Sequence, residues 1–337
     1  MKRHKRHHHH HHSRERLLLK CAAAFFGLLL LLSAILLGVN WWERSQGQPQ
    51  EAEFQLEEKI QYKNKSYVLR DNIETLLVLG LDAKDNASSG SYRNDKQADF
   101  LTLLVLDKDT DTCKAIQINR DTMAPVDVLG VNGDRLDTQK MQIALSHTYG
   151  TGREVSCRNT AKAVSALLGG VNVQYFVSVS VDAVPLYNDK LGGVPVEIMD
   201  DFTSFDPVMK QGETLTLTGE QARLYVQSRQ GLDDPTNVHR MERQRQYLQS
   251  ALQVTKQKLQ EDKTFMLSAL EELDPYWVSN RTAKGLADLV DQYHIDDPEV
   301  FYTIEGTTKM GTEFLEFHPD AESIKEIVVE CFYTPVE

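Results

Sequence analysis

Apolar and polar positions fall into two regimes along this chain. From Cys21 to Trp42 (CAAAFFGLLLLLSAILLGVNWW) no charge occurs over 22 residues, a run long enough to cross about 30 Å of hydrocarbon as a helix. Residues 43–66 are polar and charged and read as a solvated spacer. Shorter periods follow. Leu76–Leu81 and Phe100–Leu106 are continuous apolar runs of buried-strand length, separated by a polar loop at 83–98. Asp107–Asp111 (DKDTD) reads as a tight turn into a third, short strand at Ala115–Ile118. Helical spacing is read over Thr138–Tyr149 and over Asn159–Leu168, the latter stopped by Gly169-Gly170. Tyr175–Val181 and Val194–Met199 read as strands, and Gly219–Ser228 and Arg240–Leu259 as helices. The tail from 262 mixes short signals before a last helix at Ala321–Phe332. Strands interleaved with helices predict an α/β layered domain.

Charge sets the orientation. The net charge of the 337 residues is -12, yet residues 1–20 carry seven Lys/Arg against Glu15, so the remainder is at -18. A basic block before an apolar span puts the N-terminus in the cytoplasm and the rest outside, with Trp41 and Trp42 suited to the outer interface. A cleaved signal peptide is the competing reading, but the apolar run is longer than its core and no small-x-small site follows. His7–His12 reads as a tag-like tract that needs no fold. The expected organisation is a basic cytoplasmic tail with the His run (1–20), a transmembrane helix (21–42), an extracellular spacer (43–66), a domain (67–258) and a C-terminal extension packed on it or following it (259–337). So acidic an exterior excludes non-specific nucleic-acid binding; any polyanion must meet a local cationic cluster. Cys113 and Cys157 lie where a disulfide is permitted, but sequence does not place them within bonding distance. Cys331 falls in the last helix.

Two constellations carry candidate chemistry. In an antiparallel meander of the first three strands, the end of the first, the start of the second and the end of the third share one edge. That edge gathers Asp82, Asp99 and Arg120-Asp121. Two carboxylates suit a hard divalent cation that takes its other ligands from phosphate oxygens, although strand-end Asp residues also start and stop turns. Arg240, Arg243, Gln244 and Tyr247 recur at i, i+3, i+4 and i+7 and share one helix face, and Arg229 lies just upstream. Arginine's planar fork of donors suits phosphate; a solvated basic face explains the spacing equally well. Phe176, Val177 and Val179 either line an apolar channel or are ordinary core.

The segments LLVLGLDA, ADFLTLLVLD, INRDT, LLGGVNVQYFVSVSVDAV, LGGVPVEIMDDF, LTGEQARLYVQSRQ and HRMERQRQYL, in that order after a short tail and an apolar span, resemble the LytR-CpsA-Psr family over roughly residues 70–255. The resemblance implies a three-layer α/β/α domain with a central mixed sheet and a groove for a lipid. It implies a membrane-anchored extracellular transferase that takes an anionic glycopolymer from a polyprenyl-pyrophosphate carrier and joins it to peptidoglycan through a phosphodiester. Asp82 and Asp99 fall on the family's metal-binding acids, with Mg²⁺ (or Mn²⁺) as the cofactor. Arg120, Asp121 and Arg229 fall on its catalytic positions, and Arg120, Arg229, Arg240, Arg243 and Gln244 on its pyrophosphate-binding ones. Two positions depart: Gln227 and Gln97 stand where the family carries arginine, and Arg93, in a longer loop, is the candidate replacement. The glycan-linked carrier, peptidoglycan and the membrane are the expected partners, with no nucleic acid. The loss of two charges keeps two other readings open: a non-catalytic membrane-anchored binder or regulator of lipid-linked glycans, and a polyprenyl-pyrophosphate hydrolase.

Overall fold

The computed structural model describes residues 54–82, 94–229, 232, 237–293 and 300–336. The tail, the apolar span at 21–42 and Arg93 lie outside the described residues, and among those described no helix is long and apolar enough to cross a membrane.

The chain enters as a hairpin of β1 (Lys59–Tyr62) and β2 (Lys65–Leu69), turned by Lys63 and Asn64 at φ 46° and 63°. Two consecutive positive φ values give a turn whose twist matches that of the strands it joins. The meander follows as β3 (Ile73–Asp82), β4 (Gln97–Asp107) and β5 (Thr112–Ile118). β6 (Met123–Leu129) and β7 (Arg135–Gln142) form a second hairpin, and a 3₁₀ turn at Ile143–Thr148 leads into α1 (Glu154–Leu167). Next come β8 (Tyr175–Ser180), α2 (Ala183–Leu191), β9 (Val194–Glu197), β10 (Thr214–Leu217), α3 (Gly219–Gln227) and the long α4 (Asn237–Glu261). The remainder holds α5 (Phe265–Glu272), β11 (Trp277–Ser279), α6 (Ala283–Gln292), β12 (Phe301–Thr303), the hairpin β13 (Gly306–Met310) and β14 (Leu315–Pro319), α7 (Ala321–Phe332) and β15 (Tyr333–Val336).

Six strands make the central sheet in the order β11-β8-β3-β4-β5-β12. It is mixed: β3 pairs antiparallel with β4 and parallel with β8, and β12 pairs parallel with β5. Both faces are covered, which is why β3 and β4 read as unbroken apolar runs. On one face Leu77, Leu79, Leu101, Leu103 and Ile116 pack with Cys157 and Val164 of α1 and Val328 of α7. On the other, Leu76, Leu104, Leu106 and Val177 meet Leu286 and Leu289 of α6. A third cluster, including Val194, Phe202, Tyr225 and Tyr247, joins β9, α3 and α4. α3 starts on a capping box, in which Thr218 Oγ1 accepts from the Gln221 N–H and Gln221 Oε1 from the Thr218 N–H. Gly219 fits there because a Cβ would lie 2.6 Å from the Pro185 carbonyl oxygen.

Several expectations change. Part of the stretch read as spacer is folded: β1 and β2 lie within or across 54–69, and β2 pairs with the C-terminal β15. Their exposed polar faces hid them. Thr138–Tyr149 is not a helix but the end of β7 and a 3₁₀ turn, since Met123 to Leu129 offers it a partner strand. A boundary at 258 does not divide the fold, because β11 and β12 extend the central sheet on both edges and α7 enters its core. Cys113, Cys157 and Cys331 are buried free thiols, so Cys113 and Cys157 are unbonded.

Candidate functional site at the sheet edge

The meander delivers its edge as the register requires. Asp82, the last residue of β3, faces Gln97, and Leu101 faces Ile118, which leaves Asp99 and Arg120 two residues further along the same edge. A bulge sits here: Gly80 pairs with Phe100 and Leu81 with Ala98, so Asp99 has no opposite number on β3. A bulge re-aims the side chain of its extra residue. Gly80 permits it, for a Cβ there would lie 2.9 Å from the Phe100 Cβ.

Asp99 is the hub. Its Oδ1 accepts from Arg120 Nη1, and its Oδ2 lies 3.3 Å from Arg240 Nη1. Arg120 Nη2 donates to Gln97 Oε1. Arg120 Nε lies 3.3 Å from Asp121 Oδ1 but out of hydrogen-bond alignment, so this buried donor has no partner among the described residues. Arg240 is 3% exposed and donates from Nε and Nη2 to Asn237 Oδ1 at 3.0 and 2.6 Å. Asn237 in turn donates to Asn119 Oδ1 at 2.9 Å, which also receives the Asp121 N–H. Burial pulls Arg240 down to about 10, with the charges of Arg229 and Arg120 acting the same way and Asp99 opposing. Burial raises the Asp121 carboxyl, against the pull of Arg120, Arg229 and Arg240. Arg229 is half-buried, close enough for both to feel its charge, and forms no hydrogen bond among the described residues.

Other expected members are employed differently. Arg243 is 1% exposed and turned into the third cluster. Its Nε donates to Tyr225 O at 3.0 Å, Nη1 to Asp200 and Nη2 to Ser228 O, and its guanidinium carbon lies 5.3 Å from the Phe202 ring centre. A fork so used holds α3 against α4 and leaves little for a ligand. Gln244 Nε2 is spent on Val226 O at 3.0 Å, while its Oε1 has no partner among the described residues. Gln227 Nε2 donates to Asp82 Oδ1 at 2.9 Å. Asn119, Asn237 and Gln142 were not singled out from sequence; only Asn119, next to Arg120, had a signal in its position.

Directly behind this edge lies an apolar cavity of about 340 Å³. Gly80, Phe100, Val179, Val226, Gln244 and Trp277 are among the residues that line it. Val179 thus faces the cavity. Phe176 does not: one residue out of phase, it packs into the opposite face of the sheet.

Among the described residues no group of three or more His, Cys, Asp or Glu side chains converges, so these residues alone form no all-protein metal cage. Asp82 keeps one oxygen free of a described partner, and Asp99 keeps lone pairs beyond its two guanidinium contacts. One or two carboxylates plus phosphate oxygens is the set Mg²⁺ uses, and these residues fit it. Asp82, Asp99 and Asp121 balance Arg120, Arg229 and Arg240 in formal charge.

No curated protein matches the sequence. Among solved structures the fold is similar to that of TagV from B. subtilis, at TM-score 0.56 and 20% identity over 77% of this chain and 95% of that one. It is similar to a structure of TagT bound to LIIa-WTA, at TM-score 0.56 and 20% identity over 77% and 90%. Protein gbs0355 from Streptococcus agalactiae matches at TM-score 0.60 and 18% identity over 77% and 86%. The family model for the LytR_cpsA_psr family matches residues 42–330. The chain therefore belongs to the LytR_cpsA_psr family.

Proposed function

We propose that this chain is a membrane-anchored extracellular phosphotransferase that moves an anionic glycopolymer from a polyprenyl-pyrophosphate carrier to peptidoglycan through a phosphodiester. The observation that carries the reading is the continuity of two unlike surfaces. Arg120, Arg229 and Arg240 stand at a sheet edge whose neighbouring residues, Gly80 and Phe100, open the apolar cavity. A lipid pyrophosphate is the ligand class that needs both, cations for the phosphates and a dry slot for the hydrocarbon. That a protein of the same fold is bound to LIIa-WTA supports a glycopolymer as the cargo.

In this reading an acceptor hydroxyl of peptidoglycan attacks the phosphorus that carries the glycan. The new O–P bond forms as the bond to the bridging oxygen breaks, polyprenyl phosphate leaves, and the hydroxyl proton passes to solvent. Such a transfer rests on positioning and charge stabilisation. Arg120 Nε, a buried donor with no partner among the described residues, and Arg229 would meet phosphate oxygens, while Arg240 supports the cluster through Asp99. Asp121 orients Arg120. Mg²⁺ (or Mn²⁺) held by Asp82 and Asp99 would neutralise the pyrophosphate and stabilise the departing phosphate. The anchor is the 21–42 span, which puts the active domain outside the cell membrane.

Incubation with a polyprenyl-pyrophosphate-linked anionic glycan, peptidoglycan and Mg²⁺ tests the reading. Glycan on peptidoglycan with matching release of polyprenyl phosphate supports transfer. Release with the glycan in solution identifies a hydrolase, and binding without turnover a regulator.

A further inference from the structure

The C-terminal hairpin reaches back to the site. The Phe317 N–H donates to the Asp121 carbonyl at 2.9 Å, and Thr122 forms a parallel bridge with Phe317. Gln142 ends β7 opposite Met123, which places its side chain beside Asp121-Thr122. Its Nε2 donates to Leu315 O at 2.7 Å and to Asp121 Oδ1 at 3.3 Å. A primary amide has two N–H donors, and here one serves the hairpin and the other the carboxylate. Asp121 is buried, and its contact with Arg120 Nε is out of alignment. Among the described residues, Gln142 is therefore the one side chain that hydrogen-bonds this carboxylate.

We infer that Gln142 is a positioning residue: it fixes the Asp121 carboxylate beside Arg120 and ties that placement to the β13–β14 hairpin, making the C-terminal segment part of the active-site wall. The inference rests on the proposed transfer for its effect on rate, but not for its geometry. A buried carboxylate without its donor turns toward another, and the nearest is Arg120 Nε, the group left open for a phosphate oxygen. Leu315 O would lose its partner in the same change, so site and hairpin loosen together.

The test uses the full chain with Gln142→Leu, and Gln142→Glu as the second variant should the first not fold. Glu keeps the length but removes the N–H donors. Transfer to peptidoglycan should fall 10–100-fold in kcat, the scale for losing a supporting contact behind a reacting group, with KM for the lipid-linked substrate unchanged. In an Asp121→Asn background the same substitution should change kcat less than twofold. Equal losses in both backgrounds would show that Gln142 acts only on the fold and would overturn the inference. A crystal structure of the variant reads the geometry without any activity. A displaced Asp121 carboxylate supports the inference and an unmoved one overturns it, even if the wild-type chain transfers nothing and the proposed function is the part that fails.

Discussion

Gln227 donates its side-chain amide to Asp82 Oδ1 at 2.9 Å, joining the last residue of α3 to the end of β3. A neutral donor thus stands at a carboxylate where the family resemblance leads one to expect a guanidinium, and the cluster is left with as many acids as arginines. Gln227→Arg adds the missing charge. A hydrogen bond to a charged group is worth about 1.5–3 kcal/mol, so metal-free binding of a polyprenyl-pyrophosphate ligand should tighten about tenfold or more by calorimetry. Unchanged or weaker binding would mean that the geometry has been rebuilt around the amide.

The two candidate metal ligands differ in what else they do. Asp99 compensates two buried guanidiniums, so Asp99→Ala strands them and should cost about 3–5 kcal/mol of stability. Asp82 faces a neutral amide, and Asp82→Asn should stay within about 1 kcal/mol in chemical denaturation. The clean metal test is therefore Asp82→Asn: Mg²⁺ should no longer enhance ligand binding while the denaturation midpoint holds. Undiminished enhancement would remove Asp82 from the metal site.

Arg240 and Arg243 lie one turn apart and should fail differently. Arg240→Ala should lower turnover about 10–100-fold, the scale for losing a supporting contact behind a reacting group, and Arg240→Lys should recover only part because a point charge lacks the fork that spans Asp99 and Asn237. Arg243→Ala leaves Asp200 buried without its partner and should instead lower stability by about 3–5 kcal/mol. Equal loss of stability in both Ala variants would contradict the division of labour.

His147 predicts an acid-labile fold. It is fully buried, with Nδ1 2.9 Å from Lys96 O and Nε2 3.7 Å from Cys157 Sγ, and burial drops it from 6.5 to about 4. The unfolded chain therefore takes up the proton first as pH falls. Stability should decline from about pH 6.5 and level off below about pH 4, with a total loss on the order of 3 kcal/mol. Urea midpoints across that range measure it, and His147→Asn should flatten this part of the slope; an unchanged slope would assign the pH dependence to other groups.

The meander and its edge were legible because buried strands of this kind are written as unbroken apolar runs, and the register follows from the turns. Asp82, Asp99 and Arg120-Asp121 share one edge for that reason, whereas nothing in the strand pattern brought Arg240 there. Helical spacing put Arg240 and Arg243 on one face, but it does not say that Asp200, Tyr225 O and Ser228 O wait for Arg243 inside the core. Nor does it say that Gln142, from a stretch with helical spacing, lies in a strand whose partner starts at Met123. Contacts across such separations leave no local trace. β1, β2 and the sheet strands β11 and β12 were missed because they are only three to five residues long, too brief to show an alternation.

The most direct test of the account is a crystal structure of the chain with a polyprenyl-pyrophosphate ligand. Phosphate oxygens should lie within hydrogen-bond reach of Arg120 Nε and Arg229, with the prenyl chain in the cavity past Phe100 and Val179. A ligand whose phosphates sit away from these arginines, or whose hydrocarbon lies outside that cavity, would contradict it.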